Sequence, residues 1–240
     1  MNWRQKMKDN GFIKVLEQSY VEYLNTHRRS NAKLKILHGA IARDLQNRLG
    51  KNFAVVSYGI GSGKESKLSG RYFNKQVDIA VCKKDVELGG IAVKYIMSNY
   101  SQNSNNYFED MLGETANIRS GNKAYFQVII LPEQVLYFSK TDDIAKTENI
   151  TEHNLTKYIK LSNDNTSEYM HTPNKTLLYL IKTPNIDIAK VKTREQLKTY
   201  LLTGEIKIET SKQIYNFGNT VIYNNYDNFM EKITHYFLSL

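Results

Sequence analysis

A single cysteine, Cys82, occurs in 240 residues. That excludes an internal disulfide and any zinc cluster built from several cysteines. Cys82 sits in a valine-rich stretch, which predicts a buried structural thiol rather than a reactive one. No apolar run approaches the roughly 20 residues of a membrane-spanning helix. The opening "MNWRQKMKDNGF" is charged where a secretory leader needs an apolar stretch. A soluble, cytoplasmic protein with no membrane partner is expected. Internal repeats, low-complexity tracts and a clean linker are missing too. The histidines at 27, 38, 153, 171 and 235 form no pair at metal-ligand spacing, and they read as surface or capping residues. Neither a Gly-x-Ser-x-Gly elbow nor a cysteine nucleophile with an evident base is present.

Negative charge is in the minority. Twenty-four Asp and Glu face 33 Lys and Arg, for a net charge of +9. This balance favours a polyanionic partner, of which nucleic acid is the commonest. With 41% of its residues hydrophobic, the chain can bury a full core, and residues 1–240 read as one domain.

Apolar spacing predicts helices over residues 2–27 and 31–50, the second with Leu34, Leu37, Ile41, Leu45 and Leu49 as one stripe. "NFAVVSYGI" reads as a strand and "GSGKESKLSG" as a loop. Two further strands, around 76–82 and 90–97, are joined by "KKDVELGG". A polar stretch, "SNYSQNSNN", precedes the helix "NYFEDMLGETANIR", which Ser104 or Asn105 would cap. "AYFQVIIL" is the most hydrophobic strand. Beyond Pro132 helices are expected near 152–161, 174–182, 193–202 and 225–238, with short β-like pieces around 205–209 and 220–223.

Two familiar phosphate-handling motifs fail on inspection. In "YGIGSGKES" the glycine spacing is one residue short of a P-loop, and Glu65 stands where the magnesium-binding hydroxyl belongs. A nucleotidyltransferase would need an Asp-x-Asp strand, but Asp78 is followed at position 80 by alanine.

What remains is "QVDIAVCKKDVELGGIAVKY", with Asp78 on one strand and Lys94 on the next. In an antiparallel hairpin the two can share a face at the same end. A buried carboxylate and ammonium tolerate burial together better than either does alone, especially beside a divalent cation. An ion pair stitching the hairpin is the competing reading.

Over residues 31–132, the order helix, hairpin with Asp and then x-x-Lys, helix and parallel strand resembles the core of the PD-(D/E)XK nuclease superfamily. Most type II restriction endonucleases belong to it. The stretch "NYSQNSNNYFEDMLGETANIR" also looks like restriction-endonuclease sequence. The resemblance implies an α/β fold with extra N- and C-terminal helices. Asp78 would be the metal-binding carboxylate, Lys94 the residue orienting the attacking water, and the Val93 carbonyl a further ligand for Mg²⁺. The departure is Ala92, where the family carries Asp or Glu. An acid migrated to the following helix would replace it, Glu109 by preference and Glu114 as the alternative. Asp44 on the preceding helix would be an additional ligand.

The same resemblance implies site-specific hydrolysis of double-stranded DNA by a homodimer. Residues 133–240 would serve recognition or dimerisation. Lys64, Lys67, Arg71, Lys175, Lys192 and Arg194 would contact phosphates, while Asn99, Gln102, Asn103, Asn105 and Asn106 would reach base edges. Two alternatives are a non-specific, repair or transposition nuclease of the same superfamily and a DNA-binding module that has lost catalysis at Ala92.

Overall fold

The computed structural model describes residues 6–26, 30–60, 63–183 and 190–240. Helices α1 (Asp9–Asn25) and α2 (Ala32–Leu49) lead into strand β1 (Ala54–Ser57). A small hairpin follows, β2 (Ser66–Ser69) with β3 (Asn74–Val77). The main hairpin is β4 (Ile79–Lys83) with β5 (Val86–Tyr95). Helix α3 (Tyr100–Arg119) crosses to strand β6 (Ala124–Pro132). A third hairpin, β7 (Gln134–Phe138) with β8 (Ile144–Asn149), precedes helix α4 (Glu152–Ser162), strand β9 (Lys175–Lys182) and helix α5 (Arg194–Thr203). Strands β10 (Glu209–Thr210) and β11 (Val221–Tyr223) and helix α6 (Tyr226–Leu238) complete the chain.

The fold is α/β around a mixed sheet of order β1-β4-β5-β6-β9-β10, with β11 also pairing β9. The β1–β4 and β4–β5 pairs are antiparallel, whereas β5–β6 and β6–β9 are parallel. Parallel neighbours need a crossover, and α3 provides the one between β5 and β6. Ile79, Val81, Ile91, Val93, Val128 and Tyr179 point to the face packed by α1, α2 and α6. Ile129, Leu131, Leu178 and Leu180 point to the face covered by α3 and α4. Alternation then fixes the remaining positions: Ala80, Ala92 and Tyr125 lie on the α3 side, where the β2–β3 hairpin adds Leu68 and Val77.

Several boundaries differ from the sequence reading. "KTLLYLIK" is strand β9, not a helix: all six residues from Thr176 to Ile181 are buried, so the run needs no helical stripe. "SNYSQNSNN" supplies the first turns of α3, because buried Tyr100 anchors the helix start and Lys157 Nζ donates to the Ser104 carbonyl at 2.7 Å. The loop after Gly63 contains β2. The link in the main hairpin is only Lys84–Asp85, both with positive φ, as a tight two-residue turn demands. Cys82 is half-buried at the bulge of β4 rather than fully buried. His27 lies outside the described residues. Among the described residues, no helix is long and apolar enough to cross a membrane.

Asp44, expected as an additional ligand, is buried in a network of its own and does not line the cavity described below. Its carboxylate accepts from Arg48 Nε at 3.2 Å, the Tyr226 hydroxyl at 3.0 Å and the Met7 N–H at 3.0 Å. Arg48 extends the network to Asp227 and the Met7 carbonyl, both at 2.9 Å. These contacts tie α2 to α6 and to the chain before α1. Asp44→Ala would remove one of the two carboxylates facing the Arg48 guanidinium, whose side chain is 1% exposed, and leave its Nε and the Tyr226 hydroxyl without an acceptor. The expected loss is about 1–3 kcal/mol in urea unfolding; no measurable loss would show that the network carries little.

Helix α2 approaches the turn after β1 very closely. A Cβ at Gly39 would meet the Tyr58 carbonyl at 2.9 Å, while Arg43 Nη1 bonds the Gly59 carbonyl at 2.9 Å. Gly→Ala in a helix normally stabilises by about 1 kcal/mol. Here Gly39→Ala is expected to destabilise, by roughly 1–3 kcal/mol, because backbone cannot step aside. A stabilised variant in chemical denaturation would refute the close contact.

Candidate active site

Strand β5 outruns its partner. The last β4–β5 pair is Ile79 with Ile91, and β5 continues to Tyr95 paired only with β6. Asp78 stands at the point where β4 begins. Its Oδ2 accepts the Val93 N–H at 2.6 Å, and its own carbonyl accepts the Ser57 hydroxyl at 2.6 Å. In an extended strand a residue's N–H and C=O point to the same edge, so the Val93 carbonyl also faces the Asp78 side.

A cavity of about 390 Å³ opens here, between the sheet end and α3. Asp78, Lys94, Glu114, Gln127 and His38 line it, with Asp110, Lys75, Tyr107 and Tyr125. Asp78 and Lys94 therefore reach one space. Lys94 Nζ lies 4.3 Å from the centre of the Tyr107 ring, a cation–π contact that holds the ammonium on the α3 side. Glu114 is paired with Lys75 Nζ at 2.5 Å and accepts from the Tyr125 hydroxyl at 3.4 Å.

Burial raises the Asp78 carboxyl to about 6; the Val93 N–H opposes this, the nearby Glu114 charge adds to it, and Lys94 and Lys75 counter it. His38 is driven the other way. Burial lowers it to about 4, against the pull of Glu65, so its imidazole is neutral at pH 7.

Two α3 acids line the cavity, Asp110 and Glu114, and Glu114 is the one of the two expected candidates that does. Glu109, the preferred replacement for the acid missing at Ala92, is exposed and does not line the cavity; its charge is felt instead by Lys157. Position 92 is opposed in register by Gln127, on the same sheet face. Gln127 is 3% exposed, and its Nε2 has no hydrogen-bond partner among the described residues. The sequence reading missed Gln127 and took His38 for a surface or capping residue, whereas it is buried at the cavity. Their signal was present: His38 falls between Leu34 and Ile41 on the buried stripe, and Gln127 interrupts the most apolar strand.

The basic and amide residues divide into groups. Lys64, Lys67 and Arg71 are exposed on or beside the β2–β3 hairpin, whose β3 runs directly into Asp78. The turn of that hairpin also presents Tyr72 and Phe73, 77% and 59% exposed. Buried Asn117 clamps its backbone, accepting from Tyr72 N at 3.0 Å and donating to the Phe73 carbonyl at 2.9 Å. Asn99, Gln102, Asn103, Asn105 and Asn106 lie on the first turns of α3, where Asn103 bonds the Asn99 carbonyl and Asn105 accepts from Lys157.

Arg194 is no phosphate contact. It is buried between the Tyr23 and Phe138 rings and bonds the Tyr23 carbonyl at 2.6 Å. Lys175 is engaged with the Asn219 carbonyl at 2.5 Å, and Lys192 is exposed on the approach to α5, outside the cavity lining. The chain matches no protein-family model, no curated protein and no solved structure.

A carboxyl whose pKa rises on folding favours the protonated folded state. Its stabilising effect is complete below the unfolded value near 4 and is lost as pH climbs to about 6. Asp78→Asn removes that loss. In metal-free buffer the variant should match the wild type near pH 4 and exceed it at pH 7 by roughly 1–2 kcal/mol, since 27% of the side chain is exposed. Equal stabilities across pH 4–7 would overturn the assignment of a costly buried charge.

Proposed function

We propose that the chain is a Mg²⁺-dependent endonuclease of the PD-(D/E)XK kind, acting on double-stranded DNA, with Glu114 in the place first given to Glu109. The observation that carries this reading is the convergence of Asp78, Lys94 and Glu114 on one cavity at the end of a mixed sheet. The chain that bears them has a net charge of +9. Two carboxylates and the Val93 carbonyl form an all-oxygen donor set, which suits a hard divalent cation. A magnesium ion bound there would supply Lewis acidity to the scissile phosphate and acidify a water.

The remaining roles belong to side chains. Lys94, steadied by Tyr107, holds the attacking water or a phosphate oxygen as a fixed positive charge. The Gln127 amide, with its free N–H, donates to a non-bridging phosphate oxygen. The β2–β3 hairpin carries the strand towards the cavity: Lys64, Lys67 and Arg71 meet phosphates, while Tyr72 and Phe73 offer flat rings for stacking or wedging against bases. The amides at the start of α3 would read base edges. A homodimer would place two such cavities about a two-fold axis and match a palindromic site.

Ala92 favours a second reading, a duplex-binding module without hydrolysis. Incubation of the purified protein with long natural DNA and Mg²⁺ separates the two. The nuclease reading expects discrete fragments. Lys94→Ala and Glu114→Gln should each slow cleavage about 100-fold or more, with Glu109→Gln within about threefold of wild type. A smear would indicate a nuclease without site preference. Intact DNA with salt-sensitive binding would establish the binding module.

A further inference from the structure

The reaction proposed above gives no role to the buried histidine of α2. His38 is 1% exposed, and neither ring nitrogen has a hydrogen-bond partner among the described residues. An imidazole buried without partners costs free energy, because water has been stripped from both nitrogens and nothing replaces it. Such a residue survives where something else satisfies it. Its Nδ1 points towards Asp78 Oδ1 but stands 3.7 Å away, too far for a hydrogen bond. Glu65, just before β2, completes a triangle: one ligand atom from each of His38, Glu65 and Asp78 lies within 4.8 Å of the other two.

We propose that His38, Glu65 and Asp78 form a cation site that takes a divalent transition metal through one imidazole nitrogen and two carboxylate oxygens. Three different elements supply the ligands: α2, the approach to β2 and the junction of β3 with β4. Ligands held at about 2.1 Å from a shared ion lie roughly 3–4 Å apart, so the His38–Asp78 separation already fits and Glu65 needs only a small side-chain adjustment. Gln76 Nε2 orients the Glu65 carboxylate from the neighbouring strand, donating at 2.5 Å. That contact is the outer support metal-binding carboxylates commonly have.

Asp78 divides its two oxygens, Oδ2 to the Val93 N–H and Oδ1 towards His38. An imidazole ligand selects against Mg²⁺, which prefers oxygen, and favours ions such as Mn²⁺, Co²⁺ or Zn²⁺. The site shares only Asp78 with the Glu114 side of the cavity. It needs neither DNA nor hydrolysis, so it stands or falls apart from the nuclease reading.

Co²⁺ titration of metal-free protein, followed by visible absorption and calorimetry, tests it. Glu114→Gln serves as the background, so that binding on the other side of Asp78 is suppressed. One Co²⁺ per chain is expected in that background. Adding His38→Gln or Glu65→Gln should weaken binding by roughly 100-fold or more, since even outer partners of metal ligands are worth about 10–100-fold. Glu65 sits at a partly exposed position, so its variant tests the site even if the core change at His38 compromises folding, which circular dichroism would reveal. Failure of the folded Glu114→Gln protein to bind Co²⁺, or unchanged affinity in the folded Glu65→Gln protein, would overturn the proposal. Intact DNA in the cleavage assay together with His38-dependent Co²⁺ binding would leave this site standing and remove only the hydrolytic reading.

Discussion

The cavity depends on one hydrogen bond, from the Val93 N–H to the Asp78 carboxylate. Strand β5 runs four residues beyond its last pairing with β4, which would leave its backbone edge open. An open edge inside a protein is costly, and the carboxylate closes it in place of a strand. The same bond fixes the direction of Asp78, so that its second oxygen faces away from the sheet towards α2. Because β4 begins only after Asp78, a space remains between sheet and helix. Were β4 to begin earlier in the chain, ladder hydrogen bonds would occupy the edge that the carboxylate now uses.

Around that point the charges are arranged in opposition. Asp78 and Glu114 repel, and Lys75 and Lys94 approach from the hairpin and the strand. A carboxyl raised to about 6 by burial is kept at a cost in stability, a common mark of residues retained for chemistry rather than for folding. Gln127 beside Ala92 has a similar character. Its position in an otherwise apolar strand brings a polar amide into the cavity, with no hydrogen-bond partner for its donor among the described residues.

Much of this was legible in the residues. Helix α2, strand β1, the β4–β5 hairpin, α3 and β6 follow from periodicity and turn chemistry in their correct order. Strand β9 was not legible as a strand, since "KTLLYLIK" is apolar throughout and a continuous run of that length fits a buried helix segment equally well. The start of α3 was hidden because Asn and Ser are weak helix formers; buried Tyr100 and the distant Lys157 impose the helix there. The choice between Glu109 and Glu114 turned on the rotation of α3 about its axis, which the apolar spacing of this helix leaves open. Its exposed face includes Glu109, while Met111, Thr115 and Ile118 turn inward. His38 reads as a surface or capping residue, but it is buried. Its neighbours Glu65 and Asp78 come from later hairpins, so no sequence spacing marks the group.

Asp44 and Arg48 bind the chain before α1 to the final helix, and Asp9 accepts the Tyr226 N–H 217 positions away. Contacts of that span form slowly, because a long loop must close before any energy is returned. On the ribosome, α1 and α2 are made before α6, so the part of their apolar face that α6 covers stays open to aggregation until that helix has left the exit tunnel.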